Sequence, residues 1–193
     1  MSDRHVAIQD LGGQNKEIHM TPPRILAIAG VLSVLAVLHS PTAFAEGGVV
    51  WQDVTVEAAL QAASETDTLV LIDVYATWCG PCMRLDREVF PTTQAAQATD
   101  GLIALRIDAE GPAITERWHV VGYPTLLLLN GQGEEVDRLF GFLPPDEFAE
   151  TLVGYREGRG TIGDLQNRVQ SNPDDLSLIL ELGERLAIRG EYE

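Results

Sequence analysis

Two cysteines, Cys79 and Cys82, are the only ones in the 193-residue chain, and just Gly80 and Pro81 separate them. A pair so spaced suits half a zinc site, a structural disulfide or a redox dithiol. A closed zinc site needs four ligands. Beyond residue 45 the single histidine is His119, so zinc would have to borrow carboxylates. A structural disulfide here would close a very small loop, and small loops stabilise least in the chain-entropy model. The redox dithiol is the reading left standing. One thiol attacks a substrate disulfide, and the other attacks the mixed disulfide that results.

The elements around the pair suit that chemistry. Residues 70–76 are apolar apart from Asp73, as in a strand covered on both faces. A helical pattern begins at Pro81, whose fixed φ fits a first helical turn. The dithiol therefore falls at a strand-to-helix junction. There the free N–H groups and the dipole of the helix start stabilise a thiolate at Cys79. Cys82 lies one helical turn further on. Cys82, Leu85 and Val89 mark the inner side of this helix, and Arg84, Asp86, Arg87 and Glu88 are expected in solvent. Asp73 is an acid where burial makes a charge costly, which raises its pKa. It has two open readings: it reaches a hydrogen-bond partner or a sheet edge, or it accepts a proton from the dithiol.

Residues 54–63 read as a helix with Val56, Ala59, Leu60 and Ala63 on one side, after a flexible Gly47-Gly48 lead-in. Strands are predicted over 102–107, 125–129 and 135–140, with a short helix over 112–118. Asn130-Gly131-Gln132-Gly133 is a hairpin turn. Phe148, Leu152 and Tyr155 then recur at i, i+4 and i+7 on an amphipathic helix. A parallel unit followed by a hairpin predicts an α/β fold, a mixed central sheet flanked by helices.

Trp78-Cys79-Gly80-Pro81-Cys82, the upstream Asp73, Gly122-Tyr123-Pro124-Thr125 and Gly141 together resemble the thioredoxin family over about residues 50–157. The resemblance implies a thioredoxin fold with Cys79 attacking and Cys82 resolving. It makes Asp73 the buried acid and Pro124 a cis-proline shaping the substrate groove, with Trp78, Gly80, Pro81 and Tyr123 around the site. It implies no cofactor beyond the redox disulfide itself. Two positions depart from the family. Ala104 stands near the place of the lysine that pairs with the acid, and Arg87 replaces the proline that kinks the active-site helix.

Residues 1–45 read as a signal peptide: Arg24, an apolar core over 25–38, and Ala43-Phe44-Ala45 as a cleavage pattern. Fourteen apolar residues fall short of the roughly 20 that span a bilayer. The alternative is an uncleaved membrane anchor. Three acids precede Met20, which suggests that translation starts there. A periplasmic or secreted protein is expected, with domains at 46–157 (thioredoxin-like) and 158–193 (helical tail). The net charge of −16 lies wholly beyond residue 45, where ten arginines and no lysine occur, and such a surface repels nucleic acid. In the tail, Thr161–Asp164 reads as a capping box. Residues 178–193 resemble the first helix of a tetratricopeptide repeat, through Leu182, Gly183, Leu186, Gly190 and Tyr192. The expected function is a thiol:disulfide oxidoreductase reducing protein disulfides, with electrons from a membrane-bound or periplasmic donor. The competing expectation is a catalytically idle adaptor that recruits a protein partner through its C-terminal helices.

Overall fold

The computed structural model describes residues 47–109 and 112–191. The leader, its cleavage pattern and Met20 lie outside the described residues. Among the described residues no helix is long and apolar enough to cross a membrane.

Helix α1 (Val56–Thr66) starts at Thr55, whose hydroxyl accepts the Ala58 N–H at 3.2 Å, and ends at Asp67 in the left-handed region. It buries Val56, Ala59, Leu60 and Ala63, the side expected from their spacing. Then come β1 (Val70–Tyr75), α2 (Gly80–Arg84), a π-helical turn (Leu85–Val89), α3 (Thr93–Thr99) and β2 (Ile103–Asp108). They are followed by α4 (Pro112–Arg117), β3 (Thr125–Leu129), β4 (Glu135–Phe140), α5 (Pro145–Arg156), α6 (Ile162–Ser171) and α7 (Leu176–Arg189). The π turn stands where the family's helix-kinking proline is replaced by Arg87, so the active-site helix still departs from ideal winding there.

The sheet order is β2-β1-β3-β4. β1 and β2 run parallel, and β3 is antiparallel to both β1 and β4. This is the thioredoxin arrangement of a mixed sheet with helices on both faces. Alternation along β1 divides the core. Leu71 joins Leu85, Val89, Phe90, Leu126, Phe148 and Leu152 beneath the active-site helix and α5. Val70, Ile72 and Val74 face α1 with Leu60, Leu105 and Leu127. The β3–β4 turn is closed by Asn130, whose Oδ1 accepts the N–H groups of Gln132 at 3.0 Å and Glu134 at 2.9 Å. Gly131 is pressed on α1, where a Cβ would lie 2.4 Å from the Ser64 nitrogen.

The lead-in differs from the flexible segment expected of Gly47-Gly48. Gly48 sits against Phe90, where a Cβ would come within 2.2 Å of the Phe90 carbonyl oxygen. Val49 N–H donates to that oxygen at 2.8 Å, and Gln52 N–H donates to Ala104 at 2.7 Å. Glycine is needed here for close approach, and the segment is pinned along β2.

Helices α6 and α7 lie against β4 through buried charge. The Asp137 side chain is fully buried, accepts the Ile162 N–H at 2.6 Å and pairs with Arg185. Arg138, also buried, pairs with Glu135 at 2.5 Å and donates to the carbonyls of Trp118, His119 and Ile188. Thr161 caps α6 by accepting the Asp164 N–H at 3.1 Å. Helix α7 pairs with α6, while Leu176, Ile179 and Leu180 remain exposed.

Candidate active site

Cys79 and Cys82 form a disulfide with Cα atoms 5.3 Å apart. Cys79 is the N-cap of α2, and its Sγ accepts the Cys82 N–H at 3.2 Å. The helix start therefore aims a backbone donor at the first sulfur, which is the arrangement that favours its thiolate. Gly80 and Pro81 are exposed on the rim, with Pro81 in the first turn. Tyr75 and Tyr123 pack against the cysteines and Ala76. Trp78 is 71% exposed and meets Tyr123 edge to face at 6.0 Å between ring centroids.

The Tyr123–Pro124 peptide bond is cis. Pro124 is buried and immediately precedes β3. The register pairs Val74 with Thr125, so Pro124 lies beside the end of β1 that leads into the dithiol. The Gly141 N–H donates to the Pro124 carbonyl at 2.9 Å, and the Thr125 hydroxyl to the Gly122 carbonyl at 2.8 Å.

Asp73 is 1% exposed, on the β1 face that the active-site helix covers. Burial pushes its carboxyl up from 3.8 to about 6, against the pull of the neighbouring Arg106 and with a small push from Asp86. Arg106 Nε donates to Asp73 Oδ2 at 2.9 Å, and Asp73 Oδ1 makes no hydrogen bond to the protein. Arg106 Nη2 lies 2.9 Å from Asp86 Oδ1.

Asp86 is exposed, as expected, and it also forms an ion pair with Arg106. The cation missing at Ala104 is supplied two residues on, by Arg106. Residues two apart on a strand share a face, and that period-2 rule was the signal available for it. Of the residues expected at the site, Trp78, Gly80, Pro81 and Tyr123 come together around the two cysteines, which are themselves buried. Asp73 sits in the layer beneath.

A mixed sheet, a Cys-Gly-Pro-Cys helix start and an adjoining cis-proline define a thioredoxin-fold dithiol protein. Residues 56–155 match the thioredoxin-like domain family, and the chain belongs to it. It is 33% identical over 100 residues to the thiol:disulfide interchange protein DsbD of Pseudoalteromonas atlantica, covering 48% of this chain and 17% of that one. The chain thus spans about a sixth of the length of such relatives. It is 32% identical to a thioredoxin of Chlorobaculum thiosulfatiphilum, covering 46% of this chain and 80% of the other. A Bacteroides thetaiotaomicron protein provisionally called a disulphide-isomerase superposes with a TM-score of 0.52 at 31% identity, over 59% of this chain and 98% of its own. A Thermus thermophilus thioredoxin shares the fold at a TM-score of 0.51 and 22% identity, over 58% of this chain and 91% of its own. The chain is therefore homologous to thiol:disulfide oxidoreductases.

Proposed function

We propose that the chain is a periplasmic thiol:disulfide oxidoreductase that reduces protein disulfides. The observation that carries this reading is the Cys82 N–H aimed at Cys79 Sγ, beside the exposed ring of Trp78. In the reduced protein that donor stabilises a Cys79 thiolate, which attacks a substrate disulfide and forms a mixed disulfide. Cys82 then attacks Cys79 Sγ, releases the substrate thiol and restores the internal disulfide. The redox pair is the only redox group this cycle requires. A membrane-bound or periplasmic donor returns two electrons, and Asp73 Oδ1 serves as proton acceptor for Cys82. The leader-like residues 1–45 and the likeness to interchange proteins support the location and the direction. The domain limits 46–157 and 158–193 belong to the same proposal.

The test is insulin reduction by the wild type, Cys79→Ser and Cys82→Ser. Turnover should vanish in both variants, and Cys82→Ser should accumulate a covalent substrate adduct visible on a non-reducing gel. Wild-type protein with no Cys79-dependent turnover would sink the enzyme reading. The second reading, an adaptor, would then stand on the exposed Leu176, Ile179 and Leu180 of α7.

A further inference from the structure

The chain carries a net charge of −16, yet the segments that frame the dithiol are uncharged. Residues 74–83 lead through the cysteines, 118–133 include the cis-proline, and 139–145 run from the end of β4. None of the three contains Asp, Glu, Lys or Arg. His119, within the second, lies against Gly190 at the end of α7. On these same segments Trp78, Met83, Val121 and Phe140 are exposed. Arg84 breaks the neutrality. Its backbone lies in α2, two residues beyond Cys82, and its head group crosses to the loop after β4. There the guanidinium carbon stands 3.6 Å from the centroid of the Phe142 ring. Phe142 follows Gly141, whose N–H donates to the Pro124 carbonyl. The cation is therefore set between the active-site helix and the strand end that holds the cis-proline.

Glu88, one turn along, accepts from Arg84 Nε at 3.3 Å and Nη2 at 3.0 Å, while Nη1 makes no hydrogen bond among the described residues. Both side chains are about half exposed, and an exposed pair of this kind exchanges readily with other partners. The hydrogen bond from Arg84, with the charges of Arg84 and Arg87, holds the Glu88 carboxyl below its ordinary value against a cost of burial. Two cations thus share one anion, and the trio keeps a positive charge. A guanidinium stacked on a ring is weakly hydrated and already oriented, so binding a carboxylate orders little more.

We propose that Arg84 is a specificity-determining residue: its Nη1 edge donates to a substrate carboxylate, so the protein favours disulfides flanked by Asp or Glu within an apolar stretch. This rests on the oxidoreductase reading above and names the substrate class for it. The apolar part of such a segment covers Trp78 and Met83, and its acid meets the one cation that reaches this rim. The field of the whole chain opposes that choice, because a net charge of −16 attracts basic segments. Selection of an acid therefore falls to the short-range contact with Arg84, and removing that contact leaves a preference of the opposite sign.

The experiment measures kcat/KM of the full chain for three peptides, each with one internal disulfide in the same apolar sequence. Glu, Gln or Lys stands on either side of both cysteines. Each value is divided by the rate of the same peptide with dithiothreitol, which removes the peptide's own reactivity. The wild type should favour the Glu peptide over the Lys peptide by about fivefold at low salt. That ratio should fall towards one in about 0.5 M salt. Arg84→Met keeps a long side chain on Phe142 without the charge, and should invert the order to Lys above Glu. Glu88→Gln removes the competing carboxylate and should widen the wild-type ratio about twofold. Phe142→Leu releases the guanidinium from its ring and should narrow it. No Glu preference in the wild type, or an undiminished one in Arg84→Met, would overturn the inference. Should Arg84→Met fail to fold, Glu88→Gln decides it, and an unchanged ratio there refutes it. Cys79-dependent turnover without charge preference removes only this role, whereas absence of such turnover removes the oxidoreductase reading itself.

Discussion

Arg138 of β4 donates through Nη2 to the carbonyl oxygen of Trp118, 2.6 Å away. The same guanidinium reaches the carbonyls of His119 at 3.2 Å and Ile188 at 3.3 Å, and pairs with Glu135. One buried side chain thereby clamps the segment ahead of the cis-proline to both the sheet and α7. Arg138→Met leaves Glu135 buried with only the more distant Arg189, at 3.7 Å, and strips three carbonyls of a donor. Removing one partner of a buried pair costs about 3–5 kcal/mol. Urea denaturation should show a loss of that size, and amide exchange over residues 118–123 should quicken. A loss below about 1 kcal/mol would mean that the clamp does not operate.

Asp73→Asn should stabilise the protein, and only above acidic pH. The folded carboxyl titrates near 6 and its ordinary value is 3.8. Between those values the unfolded chain binds fewer protons than the folded one, so wild-type stability falls as pH rises through that window and then levels off. Asparagine removes the titration. Its advantage should be absent below pH 3.8, grow between 3.8 and about 6, and plateau at up to about 3 kcal/mol. Denaturation midpoints of both proteins at pH 3.5, 5 and 7.5 check this, and a constant difference across the range would contradict it.

Gly131→Ala should cost about 1–3 kcal/mol, the range for forcing an atom into a filled space. The added Cβ would meet the Ser64 nitrogen at 2.4 Å and its Cα at 2.5 Å, both backbone atoms of α1 that cannot yield alone. The thermal midpoint reads the loss directly, and an unchanged midpoint would show that the turn moves freely away from α1.

Trp78→Ala should barely alter stability, because the ring is 71% exposed and its one edge contact, to Tyr123, is worth about 0.5–1.5 kcal/mol at most. Its effect should fall on substrate capture: KM for a peptide disulfide rises severalfold with kcat retained. A fall in kcat at constant KM would instead place Trp78 in the chemistry of the sulfurs.

How far the sequence could be read follows from the range of the forces involved. Strands 125–129 and 135–140 were legible to the residue, because a continuous apolar run and a hairpin turn are local signals. The dithiol was legible for the same reason, as spacing and helix-start chemistry lie within four residues. Arg106 was not, because its tie to Asp73 depends on the register of two strands 33 positions apart. Nor was the buried charge of Glu135, Asp137 and Arg138, since charged residues on a return strand look solvated until α6 and α7 lie over them. The lead-in looked flexible because two glycines usually mean freedom. Here one of them, Gly48, is pressed against Phe90 and Pro91.

The Asp137 carboxylate gives the amide of Ile162 its partner, and the inherited thioredoxin-like unit ends before that amide, at residue 155. Ancestry and cooperativity therefore draw different borders on this chain. A fragment excised at the border of ancestry would carry β4 with a carboxylate, built to be dry, suddenly wetted and stripped of Arg185. Its melting behaviour would be that of a wounded molecule, not of a domain in isolation. Expression designs for this protein should accordingly run through Arg189, and thermodynamic comparison with shorter thioredoxins should treat the last two helices as part of the folded body.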